Sequence, residues 1–135
     1  MLLPGITSLY YARSRLGPFI RHSFSNGYWV SYPLAFGDFP ASWRHYVPLI
    51  FVFGLTIPSL VGLYWPPAMW LSGCAAAAYV VAAIIAGIHG AHRTARPGLA
   101  LLLPPVFLLL HLTYGLGTIV GLVRAGWHRL FGSRG

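Results

Sequence analysis

The chain has no lysine and no glutamate, one aspartate (Asp38) and one cysteine (Cys74) among its 135 residues. Each scarcity closes a class of function. Acid/base chemistry by paired carboxylates needs a second carboxylate. A dedicated Mg²⁺ or Ca²⁺ cage needs several hard oxygen ligands. A lysine-type phosphate loop needs its lysine, and a secreted disulfide scaffold needs paired cysteines. Charged residues make up 7% of the chain and hydrophobic residues 57%, against roughly 25% charged in soluble domains. Arg supplies every strong cation, for a net charge of +8. A nucleic-acid module would be as basic but not as apolar, so nucleic acid is not expected as a partner. What remains is an all-α integral membrane protein of one-domain size.

Three long apolar runs are present. Val47–Trp65 and Ala68–His89 carry no charge, and Leu99–Val123 carries only His111. At 1.5 Å per residue they would reach roughly 29, 33 and 38 Å, against a hydrocarbon core of about 30 Å. Pro66-Pro67, flanked by Trp65 and Trp70, joins the first two runs. Proline cannot continue a helix and Trp prefers the headgroup level, so a tight hairpin with an uncharged tip is expected. Arg13, Arg15, Arg21 and Arg44 precede the first run, and Arg93 and Arg96 lie between the second and third. The positive-inside rule places these segments, and the N-terminus, in the cytoplasm. The third run has two readings. Its length favours a crossing. The Arg of the basic tail 124–135 favour a re-entrant segment bent at Pro104-Pro105, which would keep all nine Arg on one side.

Small residues recur every fourth position. Cys74, Ala78, Ala82, Ala86 and Gly90 form one stripe of the second run, and Gly117 and Gly121 repeat the spacing in the third. Small residues let helix backbones approach closely in lipid, so these stripes are expected to meet neighbouring helices.

The first 46 residues form no span. Gly17-Pro18 and Asn26-Gly27 bracket a short helix, with Pro at its start and Gly at its stop. Phe19, Ile20, Ser23 and Phe24 make one face, with Arg21, His22 and Ser25 away from its centre, as in an amphipathic helix lying in the membrane interface. Asp38 precedes Phe39-Pro40, where a short acid suits a helix cap. Trp43, Arg44, His45 and Tyr46 suit a headgroup anchor ahead of the first run. The opening Met-Leu-Leu lacks a basic residue ahead of it and is broken by Pro4-Gly5, so no cleavable signal is expected.

His89 and His111 lie at or within the runs; His111 is the deeper, and ionisable groups at depth tend to be functional. Arg21, Arg44, Arg93 and Arg96 would share the cytoplasmic headgroup plane, where guanidinium groups attract anionic lipid and grip phosphate bidentately. No metal-ligand spacing appears. With few polar residues in the spans, a membrane-permeabilising or transport role is the weaker alternative.

Several segments together resemble the C-terminal region of bacterial family 2 glycosyltransferases of the succinoglycan-biosynthesis type. They are Pro4 to Arg13, Phe24-Ser25-Asn26-Gly27-Tyr28-Trp29, Trp43-Arg44-His45-Tyr46-Val47-Pro48-Leu49-Ile50-Phe51 and His111-Leu112-Thr113-Tyr114-Gly115-Leu116-Gly117. The resemblance implies a multi-pass protein of the bacterial inner membrane that serves exopolysaccharide or envelope-glycan synthesis. Such enzymes move a sugar from a nucleotide-sugar to a polyprenyl-diphosphate-linked acceptor. The catalytic domain, with its acid-x-acid motif and divalent metal, has no counterpart here. The chain is therefore expected to be the membrane part of a truncated or split transferase, not catalytic alone and without its own cofactor. A small subunit serving a separately encoded catalytic chain is the other form of that reading. By position, Asn26, Gly27, Tyr28 and Trp29 would lie at the donor-site junction, and Arg21 or Arg44 would meet the acceptor's diphosphate.

Overall fold

A computed structural model describes residues 15–35 and 43–132. The elements are α1 (Leu16–Ser31), tight turns at Tyr32–Ala35 and Trp43–Tyr46, α2 (Val47–Val61), α3 (Pro67–Thr94) and α4 (Leu99–Phe131). There is no strand among the described residues. Three helical segments are long and apolar enough to cross a membrane: Arg44–Val61, Pro67–Thr94 and Leu99–Phe131. The cap expected at Asp38 and the resemblance over residues 4–13 lie outside the described residues.

The helix limits differ from those expected, for local reasons. Pro66 and Pro67 lack the N–H groups that would bond the Gly62 and Leu63 carbonyls, so α2 stops at Val61 instead of Trp65. The chain tightens there through Leu63 N–H to the Leu60 carbonyl at 3.2 Å and Tyr64 N–H to the Val61 carbonyl at 3.0 Å. Pro67 opens α3, where a missing N–H costs nothing. α3 continues past His89 to Thr94, and His92 and Arg93 in its last turn favour the negative end of the helix dipole. Ala95 ends it in the left-handed conformation, φ 53°, with Arg96 N–H donating to the Ala91 carbonyl at 3.1 Å. α4 runs on to Phe131, so Arg124 and Arg129 sit on a helix and not on a tail.

α1 also outruns its expected stop. Gly27 lies inside it, and the helix ends before Pro33. The buried residues of α1 are Ser23, Gly27 and Ser31, one turn apart. They pack on α4, where Gly117, Thr118, Gly121 and Ala125 are buried. The first helix thus turns its inner face to protein as well as carrying Leu16, Ile20 and Phe24 at the surface.

α4 is the shared partner: α1, α2 and α3 all contact it, and α2 and α3 also pair as an antiparallel hairpin. The buried apolar residues are mostly small, with Ala68, Ala83, Ala91 and Ala125 beside Leu49 and Val52. This is the packing that lipid-embedded helices use, since lipid already satisfies large apolar groups. The stripe expected on the second run is displaced by one residue. Cys74, Ala78, Ala82 and Ala86 are exposed, and the buried set is Ala83, Gly87 and Ala91. Gly90 is half-buried, and a Cβ there would lie 2.8 Å from Leu103 Cδ1. Tyr79 heads the buried stripe four residues before Ala83, and its hydroxyl contact with His111 fixes the rotation of α3.

Candidate functional site

The seam between α1 and α4 is built from backbone. A Cβ on Gly27 would overlap the Tyr114 carbonyl, and one on Gly117 would overlap the Phe24 carbonyl. On Gly121 it would meet Ser31 Oγ and the Tyr28 carbonyl. The Ser31 hydroxyl shares its proton between the Thr118 carbonyl at 3.0 Å, across the seam, and its own helix's Gly27 carbonyl at 3.1 Å. The Thr118 hydroxyl donates to the Tyr114 carbonyl at 3.0 Å. Both buried hydroxyls are thus satisfied, which burial requires.

With its inner side clamped, α1 presents a polar outer side. Gly17, Pro18, Arg21, His22 and Ser25 line a groove of about 530 Å³. Asn26 Nδ2 lies 3.3 Å from His22 Nε2, one turn away. Since the amide nitrogen only donates, His22 Nε2 is the acceptor and its proton sits on Nδ1 in the neutral ring. Trp29 is exposed on the same side, 59% accessible. Of the four residues expected at a donor-site junction, Asn26 and Trp29 face outward, Tyr28 is half-buried and Gly27 belongs to the seam.

At the C-terminal ends of α1 and α4 lies an aromatic and basic group. Tyr28 and Tyr32 stack at 5.2 Å, and Trp29 meets both edge-on. Tyr32 meets His128 edge-on at 5.8 Å. Arg124 Nη1 donates to Tyr28 Oη at 3.3 Å. Spacing on one helix does not show this pairing, because it joins residues 96 positions apart.

Two histidine–tyrosine pairs link the spans. His45 Nδ1 is 3.0 Å from Tyr114 Oη, joining the start of α2 to α4. His111 Nδ1 is 2.8 Å from the Phe107 carbonyl and 3.2 Å from Tyr79 Oη. A carbonyl only accepts, so Nδ1 carries the proton. Phe51 completes the cluster, 4.1 Å from Tyr79 by ring centroids. His111 therefore has protein partners within the bundle, and the hydrogen-bonding ring that reasoning from the sequence missed is Tyr79, the one phenol of the second run.

The four Arg expected in one headgroup plane lie at three places on the surface. Arg21 lines the outer groove and Arg44 is exposed in the turn before α2. Arg93 and Arg96 are exposed at the α3–α4 turn, beside a separate hollow of about 460 Å³ lined by Ile88, Ala91, His92, Ala95, Pro97 and Ala100. Gly27 faces Tyr114 and Thr118 and Gly117 faces Phe24, so Arg21 lies beside the middle of α4 while Arg96 precedes its first residue. Among the described residues no three His, Cys, Asp or Glu side chains gather as metal ligands. No family model, no curated protein and no solved structure matches the chain.

Proposed function

We propose that the chain is a membrane-embedded, non-catalytic platform that holds a polyprenyl-diphosphate-linked acceptor for a family 2 glycosyltransferase. The observation that carries this reading is the outer side of α1. It places Arg21, His22 and Ser25 around one groove, with Asn26 and Trp29 beside it, on a helix locked to the membrane bundle by backbone contact. A guanidinium at a headgroup-level groove suits a diphosphate, and an exposed indole suits the flat face of a sugar. The long apolar faces of α2 and α3 supply a surface for the isoprenoid chain. Arg44, at the start of α2, is a second phosphate contact, and Arg93 and Arg96 serve the general attraction of the leaflet. Nucleotide-sugar binding and the divalent metal belong to a separate catalytic domain in this reading.

Retention of radiolabelled polyprenyl diphosphate on the purified chain in detergent tests it, with inorganic diphosphate as competitor. The wild type should retain the lipid, and Arg21→Ala should weaken retention about tenfold, equivalent to about 1.4 kcal/mol. Absence of retention by the wild type would overturn the reading. Equal retention by Arg21→Ala would remove Arg21 from the site.

A further inference from the structure

Three sets of contacts along α4 bear on its course through a membrane. The first part of α4 runs antiparallel to α3: Gly87 faces Ala100 and Pro104, Gly90 faces Leu103, and Tyr79 reaches His111. α2 is antiparallel to α3, with Phe51 against Tyr79 and Ser59 Oγ 3.0 Å from Ser72 Oγ. A straight α4 would carry residue 115 beyond His111 towards Ser59 and the hairpin tip. Instead Gly115 meets the Pro48 carbonyl and Val52, and Tyr114 meets His45, all at the opening turns of α2. Those turns adjoin Arg44, on the side of the α3–α4 turn. From there on α1 accompanies α4 in parallel: Phe24 meets Gly117, Tyr28 meets Gly121 and Arg124, and Tyr32 meets His128. α4 thus keeps to α3 as far as His111, and from Tyr114 on it meets the opening turns of α2 and then α1.

Charge agrees with the register. Gly27 packs on Tyr114, and Arg21 precedes it by less than two turns of α1, so a straight and upright α4 would hold Arg21 about 22 Å from Leu99, inside a core of about 30 Å and about 8 Å from its far edge. Arg21 and His22 are exposed there. An Arg inside the core is costly, up to about 3 kcal/mol at the bilayer centre and less where it snorkels to an edge. The chain's one acid is Asp38, so carboxylates cannot neutralise these cations as a group.

The surface of α4 supplies the third observation. Leu116, Val120, Val123, Trp127 and Leu130 are all exposed and recur at helical spacing on one face. That face lies opposite the Gly117–Gly121–Ala125 seam, with Arg124 and His128 on its flank. An apolar stripe bordered by cations is the pattern of a helix lying in an interface.

We propose that α4 is re-entrant. It bends at Pro104-Pro105, whose missing N–H groups release the Ala100 and Leu101 carbonyls from the helix ladder. Its C-terminal half then lies in the interface that holds the α3–α4 turn. The apolar stripe enters the acyl chains, and α1 rests on the opposite side of the helix with its groove towards water. Arg15, Arg21, Arg44, Arg93, Arg96, Arg124 and Arg129 then meet the phosphates of one anionic leaflet, and two helices cross the membrane. This holds whatever the sugar chemistry proposed above.

The test uses single cysteines in a Cys74→Ser background and a membrane-impermeant maleimide, applied to sealed right-side-out and inverted vesicles. Arg96→Cys marks the α3–α4 turn and Tyr64→Cys, at a residue 93% exposed, marks the hairpin tip. Arg129→Cys is the probe, and Gly126→Cys, where a Cβ meets nothing within 4 Å, is a second one. Both probes should label from the side that labels position 96, and position 64 from the other. Labelling of the probes from the side that labels position 64 overturns the proposal. Labelling of Arg129→Cys only after detergent overturns it as well, because it puts the end of α4 inside the bilayer.

Discussion

Gly27 lies against the Tyr114 carbonyl with no space for even a methyl group between them. The two residues belong to helices separated by most of the chain, and their contact fixes how closely α1 approaches α4. Gly27→Ala should therefore destabilise the folded protein by about 1–3 kcal/mol, because backbone on both sides cannot give way as a side chain can. Gly117→Ala should cost a similar amount against the Phe24 carbonyl. The double variant should cost less than the sum, since one displacement of α1 relieves both overlaps. Thermal unfolding in detergent reads all three, and an unchanged midpoint for Gly27→Ala would refute the close seam.

Ala95 takes a left-handed conformation at the end of α3, a position where glycine carries no steric penalty. Ala95→Gly should raise stability by up to about 1 kcal/mol, the relieved backbone strain exceeding the entropy that glycine adds to the unfolded chain. A lowered midpoint would contradict the assigned conformation.

Tyr79→Phe removes one of the two partners of the His111 Nδ1 proton and leaves the Phe107 carbonyl as acceptor. Its cost should be under about 1 kcal/mol, as for interhelical hydrogen bonds in lipid generally. His111→Leu should cost more, because it also strands the Tyr79 hydroxyl. A double-mutant cycle on the pair should return a coupling of a few tenths of a kcal/mol to about 1 kcal/mol. A coupling of zero would dissolve the pair.

On the reading proposed above, Arg44→Ala in a family 2 transferase acting with this chain should raise the KM for the lipid acceptor and leave kcat nearly unchanged. Tyr114→Phe, which frees His45 beside Arg44, should move the same parameter less. Unchanged acceptor kinetics in membranes for Arg44→Ala would remove it from the site.

Much of the architecture was legible in the residues, and the parts that were not have a common cause. The starts of the long helices are readable because Pro66-Pro67 and the Arg-Pro-Gly turn punctuate the chain, and the apolar runs between them are long. Their ends are less so: α3 carries His92 and Arg93, and α4 carries His128 and Arg129, onto their last turns, beyond the apolar limit. The α1 seam was misread because Gly27 after Asn26 has the form of a helix stop, whereas a glycine at a close crossing has the same local signature. On α3, two neighbouring stripes of small residues are equivalent by periodicity, and only the Tyr79–His111 contact selects between them. The groove on α1 was half readable: Arg21 was singled out, but not its grouping with His22 and Asn26 rather than with Arg93 and Arg96.

The Ser31–Thr118 bond joins residues 87 positions apart, and the other contacts of the seam span a similar or longer stretch of chain. During synthesis at 5–20 residues per second, α1 therefore emerges roughly 4–17 s before the helix it is shaped to meet. For that interval its row of Ser23, Gly27 and Ser31 has no complement, and a sixteen-residue helix alone is marginal in water. The α2–α3 hairpin is therefore complete before α1 has its partner, and α1 docks only when the last helix arrives, so packing should close last between the two end helices.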